Sequence, residues 1–226
     1  MVPVGVLALL ADGRFPVGGH AHSAGLEAAA SAFPLDDAEE LARFVAGRLS
    51  TVGLTEANLV AVIATQLASG TLDWDRADQE IEARIASPAL RSTSRLLGRQ
   101  WARAGAEVIG GPHNDRARRV DRRGPHQVMA YAAVAIDAGL RVDDAVALHL
   151  HHLVSTITTA AVRLHGIDPY EAARLQRNAV VQCDSIVETA VAGAKVPWDR
   201  VPAPASPIAD ILAEHHAVAD MRLFRS

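Results

Sequence analysis

The chain is predicted to be all-α: one domain spanning residues 1–226, built from eight to ten packed helices. Three observations point there. Apolar residues recur at intervals of three and four along most of the chain. Strand signals are nearly absent, with no hairpin dipeptide between alternating runs. Half of the 226 residues are hydrophobic while only 4% are aromatic. A core made mainly of Leu, Val, Ile and Ala suits closely packed helices better than a sandwich or barrel.

The elements follow in order. Residues Met1–Gly19 read as irregular. Asp36-Asp37-Ala38-Glu39-Glu40 places acids in the first turn of a helix whose Leu41, Phe44, Val45, Leu49 and Val52 fall on one side, with Gly53 expected to end it. Leu54 to Leu67 continues with Leu59, Val60, Ile63 and Leu67 on one face. Three later helices begin with a capping side chain followed by proline: Ser87-Pro88, Asp168-Pro169 and Ser206-Pro207. Proline at the first helical position gives up an N–H that has no intrahelical partner anyway. Gly105–Arg123 reads as irregular, and Gly124-Pro125 as opening a helix through Val128, Ala132, Ala135 and Ile136, closed by Gly139. The best-defined helix runs from Val142 to His165, with Asp143-Asp144 at its positive end. Val196–Ala205, with its three prolines, reads as irregular.

Composition excludes several classes of function. Net charge is −4, with 22 Lys and Arg against 26 Asp and Glu, which gives no electrostatic footprint for nucleic acid. The densest basic run, Arg116 to Arg123, is interrupted by acid and reads as a solvated loop or partner contact. Cys183 stands alone, so no intramolecular disulfide forms and a reducing cytoplasmic setting is expected. The segment from Met1 to Ala11 lacks the basic start of a signal peptide, and no uninterrupted apolar run suggests a membrane span.

Self-contained chemistry is hard to assemble from these residues. His20 and His22 could chelate a metal from one extended segment, His149 and His152 share a helix face beside the apolar stripe, and His215-His216 lie near the end. None has a Cys pair or carboxylate at a familiar ligand spacing, so His20 and His22 stand only as weak metal candidates. The histidines at 149 and 152 read as interfacial or solvated. Asp36, Asp37 and Glu40 resemble an acid cluster that holds magnesium diphosphate in helical enzymes. Helix-start charge explains the same acids, and no second cluster appears. Ser23 lies near His22, but no nucleophile elbow surrounds it, and Cys183 sits in an apolar helical context where a thiol is inert. Gly18-Gly19 and Gly110-Gly111 are not phosphate cradles, since neither belongs to a strand–loop–helix unit. The residues alone favour a binding or assembly protein over an enzyme.

The most informative stretch is the glycine-rich segment 12–27. Its Phe15-Pro16-Val17-Gly18-Gly19-His20-Ala21-His22-Ser23-Ala24-Gly25-Leu26-Glu27 resembles the opening signature of the UreF family of urease accessory proteins, P-x-G-G-[FY]-x-H-S-x-G-[LI]-E. Four more blocks follow in order. Residues from Ala89 to Gln100 resemble the family's E-x-R-x-x-S-x-x-x-G-R, and Gly124-Pro125-His126-Gln127-Val128 its G-x-H-P-V. Val154 to Leu164, followed by Arg174-Leu175, is similar to its Ser/Ala-rich helix ending in A-A-V-R-L and the arginine beyond. The tail 215–226 is similar to H-x-x-x-x-x-x-R-L-F-x-S. The chain departs from the pattern at His20, where an aromatic is usual, at Ala89, at Asp168-Pro169 and in the arginine-rich Gly105–Arg123 stretch.

The resemblance implies an all-α protein that dimerises and performs no chemistry itself. It implies binding to the accessory protein UreD (also called UreH), recruitment and regulation of the nickel-carrying GTPase UreG, and docking on apo-urease, with nickel held only in transit. Residues matching the signature become candidate partner contacts: His22, Ser23, Gly25 and Glu27 at the start, Arg163 and Arg174 in the middle, and Arg222, Leu223 and Phe224 at the end. Arginine suits such anchoring because its planar fork meets carboxylates bidentately. Each arginine could equally form an internal salt bridge, Leu223 and Phe224 could dock on their own domain, and His22 and Ser23 could close a turn or cap the helix carrying Leu26.

Overall fold

The computed structural model describes residues 4–35, 37–220 and 222–225. Its helices are α1 (Val4–Ala11), α2 (Leu26–Ala30), α3 (Ala38–Arg48), α4 (Leu54–Ser69), α5 (Trp74–Ala83), α6 (Pro88–Val108), α7 (Pro112–Ala117), α8 (Gln127–Asp137), α9 (Val142–His165), α10 (Pro169–Ala192) and α11 (Pro207–Ala217). Among the described residues there is no β-strand. A π-helical turn, Leu49–Gly53, joins α3 to α4 end to end.

Helices α4 and α8 form the centre. Residues Val128–Ala135 are all buried, and α4 buries Leu59 to Ala64 without a break. A helix apolar on every side has to be covered on every side, and α6, α9 and α10 do this around α4 and α8. Helices α9 and α10 form a long hairpin, reversed at Gly166 in the left-handed region. Helix α6 crosses the start of α8 at Gly98, where a Cβ would overlap the Pro125 carbonyl oxygen. Only glycine allows that approach. Trp101 sits where the layers meet, edge-on to Tyr131 with ring centroids 4.9 Å apart.

Two helices, Ala38–Ser69 and Val142–His165, are long and apolar enough to cross a membrane. Packing within the fold covers most of each apolar window, 61% and 56% respectively.

Several expectations need correction. Gly53 does not end its helix: its backbone is helical, at φ −57° and ψ −47°, and Leu153 of α9 packs against it. Within Met1–Gly19, residues Val4–Ala11 are helical. Within Gly105–Arg123, α6 runs on to Val108 and α7 occupies Pro112–Ala117, capped from outside by the Asp137 carboxylate. Helix α8 starts at Gln127, two residues after Pro125. Ser87 and Asp168 cap α6 and α10 with their side chains, but Ser206 makes no side-chain cap on α11. Helix α5, capped by Asp73, adds an element that the expected helices do not include. Helix α9 has the predicted bounds.

Candidate functional site

The opening segment leaves α1 and folds into a closed loop. Asp12 accepts from the backbone N–H of Arg14 at 2.8 Å and pairs with its guanidinium. The Arg14 hydrogen bonds hold the Asp12 carboxyl at about 2. Phe15 is buried against Trp101, which anchors the loop to α6. Gly18 takes φ +76°, and a Cβ there would overlap the Gln100 side chain. The exposed His20 closes the loop through Nε2, 2.6 Å from the Gly13 carbonyl oxygen. His22 and Ser23 then turn inward and are buried. Burial first, and the nearby Arg225 charge second, push His22 down to about 4, so its imidazole is neutral. Ser23 Oγ accepts from the Glu27 N–H at 3.3 Å, supporting the first turn of α2. Ala24 and Gly25 are both left-handed, at φ 52° and 86°, which turns the chain into that helix.

Glu27 is the hub of the site. Its Oε1 accepts from the Leu223 N–H at 2.6 Å, and its Oε2 accepts from the Phe224 N–H at 2.9 Å and from His216 Nε2 at 2.8 Å. Burial pushes the Glu27 carboxyl up, but the hydrogen bonds from Leu223, His216 and Phe224 outweigh it and lower it. Two more contacts fasten the tail. The Arg225 N–H donates to the Ala21 carbonyl oxygen at 2.8 Å. Arg163 of α9 places its guanidinium 4.4 Å from the Phe224 ring centroid and donates to the His20 carbonyl oxygen at 2.6 Å.

The structure thus brings His22, Ser23, Gly25, Glu27, Arg163, Leu223 and Phe224 into one place. Phe224 is 3% exposed and docks on its own domain, whereas Leu223 is 53% exposed and Arg222 is exposed beside it. Arg174 lies exposed on α10 and makes none of these contacts. A cavity of about 50 Å³ lies beneath the docked tail, lined by residues including His20, His22, His152, Arg163 and Phe224.

No group of three or more His, Cys, Asp or Glu among the described residues is placed to hold a metal ion. Of the acids considered for magnesium, Asp36 lies outside the described residues, and Asp37 caps α3 by accepting from the Glu40 N–H at 2.8 Å. His149 and His152 of α9 pack into the core, which corrects the expectation that they are interfacial or solvated, while His151 between them is exposed. His149 Nε2 meets Glu56 at 3.0 Å, and His152 lies against Trp101 and Tyr131, where burial and the neighbouring His149 and His151 hold it at about 3. Burial raises the Cys183 thiol to about 11, which leaves it a poor nucleophile at neutral pH.

The two middle blocks form a second cluster. Arg95, 3% exposed, binds both oxygens of Asp78, at 2.6 and 2.8 Å, together with Glu82 and the Gly124 carbonyl oxygen. His126 is fully buried between Ser94 Oγ at 3.0 Å and Glu82 at 2.8 Å. Burial raises the Glu82 carboxyl, and the Arg95 and His126 hydrogen bonds outweigh it, bringing it to about 2. Sequence reasoning missed Asp78 and Glu82. Their signal was the i, i+4 spacing on an amphipathic α5 preceding a segment rich in arginine.

The model of the UreF family matches residues 35–180. Over its full length the chain is 34% identical to the urease accessory protein UreF of Mycobacterium sp. strain JLS and 30% identical to that of Mycobacterium marinum, each covered completely. It is 33% identical to the UreF of Mycobacterium tuberculosis, over 96% of this chain and 95% of that protein. The two alignments over the whole chain take in the opening segment and the tail, which lie outside residues 35–180.

Proposed function

The chain belongs to the UreF family of urease accessory proteins, and from that premise we propose that it is a non-enzymatic assembly factor for the urease metal centre. In this reading it works in the cytoplasm as a homodimer, binds UreD/UreH, recruits and regulates the GTPase UreG, and helps pass nickel, as cargo, into apo-urease. The partner surface is the docked tail on the opening segment, with Arg222 and Leu223 facing outward and Glu27, Arg163 and Phe224 holding them in place. His22, Ser23 and Gly25 shape the floor, and Arg174 supplies a contact on α10.

One observation carries this reading: Glu27 of the opening signature binds the backbone of the terminal Leu-Phe pair. Two blocks at opposite ends of the sequence are thereby built into one surface, with an arginine of a third block stacked on it. Phe224 is buried, while the apolar Leu223 and the charged Arg222 are exposed beside it on the same pinned segment, an apolar and basic pair that a partner can cover. Co-purification with UreD, UreG and apo-urease, read as complex mass with and without GTP and nickel, tests it. A stoichiometric complex with UreD that then takes up UreG is the expected result. A chain that stays alone with all three partners present overturns the reading.

A further inference from the structure

The segment between α6 and α8 concentrates positive charge that the rest of this acidic chain does not neutralise. Arg116, Arg118, Arg119 and Arg122 are all exposed, and Arg99 and Arg103 lie exposed one turn apart on the adjoining α6. Among the described residues, none of these six arginines forms an ion pair. Other arginines of the chain do: Arg43 meets Glu39, Arg95 meets Asp78, and Arg123 is taken by Asp121.

Hydrogen bonds tie the backbone carrying these arginines to the fold at both ends. The Asp137 carboxylate caps the start of α7 through the N–H groups of His113 and Asn114. The buried Asn114 side chain donates to the Ala102 carbonyl oxygen at 2.9 Å, and Ala117 is fully buried. Beyond α7, Arg123 folds back on Asp121 through its own N–H at 2.6 Å, Arg95 holds the Gly124 carbonyl oxygen, and Arg99 donates to that of Arg123. A solvated loop needs none of these ties. A pinned platform loses little entropy when something docks on it, which is what a binding surface requires.

We propose that this arginine platform is a docking surface for a carboxylate-rich face of another protein. The guanidinium fork fits carboxylates bidentately, and an uncompensated cluster on a chain of net charge −4 steers one acidic face to one place. Nucleic acid fits less well. No Phe, Tyr or Trp occurs from Gly105 to His126 to stack on bases, and Asp121 interrupts the run along which phosphates would track, with Asp115 flanking it. The proposal goes beyond the accessory-protein reading and does not depend on it.

Fluorescence anisotropy with labelled poly-L-glutamate, at low and physiological salt, tests it on the full chain. R116E/R119E/R122E is compared with R43E/R76E/R141E, which changes net charge equally at other sites, each fold being checked by circular dichroism. The platform variant is expected to lose about tenfold in affinity, or about 1.4 kcal/mol, and the control less than about twofold, as for scattered surface charges. R116Q/R119Q/R122Q, which adds no acid, falls between wild type and the reversal. Equal losses in the two triple variants, or no binding of poly-L-glutamate by the wild type, overturn the proposal. So does tighter wild-type binding of oligothymidylate or phosphatidylglycerol vesicles that the platform variant abolishes.

Discussion

Glu27 accepts a hydrogen bond from the backbone N–H of Phe224, 197 positions further along the chain, at 2.9 Å. The same carboxylate takes the Leu223 N–H and His216 Nε2, so one acidic side chain organises the whole terminal strap. Hydrogen bonds to a charged acceptor are the stronger kind. Three of them on one half-buried carboxylate explain why glutamate, rather than any polar residue, suits this position.

Glu27→Gln keeps the size of the side chain and removes its charge. One of its terminal atoms then becomes a donor facing N–H groups. The expected cost is about 2 kcal/mol, confined to tail docking. Hydrogen exchange should show the Leu223 and Phe224 amides losing protection while α4 and α8 keep theirs. Equal loss in the central helices would mean that Glu27 supports the fold and not the strap.

Phe224→Ala removes a ring that is 3% exposed and lies against Arg163. Burial of such a ring is worth about 3 kcal/mol, more than a terminal strap can lose and remain docked. The tail should become sensitive to carboxypeptidase with helical content unchanged. Arg163→Lys, which loses the stacked plane and keeps the charge, should cost about 1 kcal/mol and loosen the tail only partly.

Gly98→Ala should be among the most damaging single-methyl changes in the chain, because the new Cβ meets backbone at Pro125 and backbone cannot swing away. A loss of at least about 3 kcal/mol is expected in urea unfolding. Gly47→Ala, in α3 with open space around its Cβ, should instead stabilise by up to about 1 kcal/mol.

Acid should act in two windows. Burial lowers His22 and His152 from 6.5 to about 4 and about 3, and lowers His126 as well. The unfolded chain therefore takes up these protons first, and stability falls as pH drops below about 6.5. Glu82, lowered from 4.5 to about 2, contributes stability above pH 4.5 that is lost as pH falls toward 2. Urea midpoints across pH should show both declines, with Glu82→Gln flattening the lower one. The His22 ring should stay neutral by NMR until pH approaches 4.

Local signals made much of this readable. Asp168-Pro169 and the three-and-four spacing through Leu164 specify α9 and α10 from neighbouring residues alone. Where the expectation failed, the determinant was distant. Gly53 looks like a stop until Leu153 packs beside it, and Pro112–Ala117 reads as loop until Asp137 caps it as a helix. The site divides in the same way. The signature residues stand out by composition, but the union of Glu27 with Phe224 and of Arg95 with Asp78 exists only after folding.

The central claim is that the outward side of the docked tail is a partner surface. The double substitution Arg222→Glu/Leu223→Asp tests it most directly, because both side chains are exposed and the Leu223 N–H that Glu27 holds belongs to the backbone. Size-exclusion chromatography with mass detection, on this variant mixed with UreD, is the measurement. The account predicts that the UreD complex is lost while helical content and Phe224 protection stay at wild-type levels. A complex of unchanged mass and affinity would contradict it.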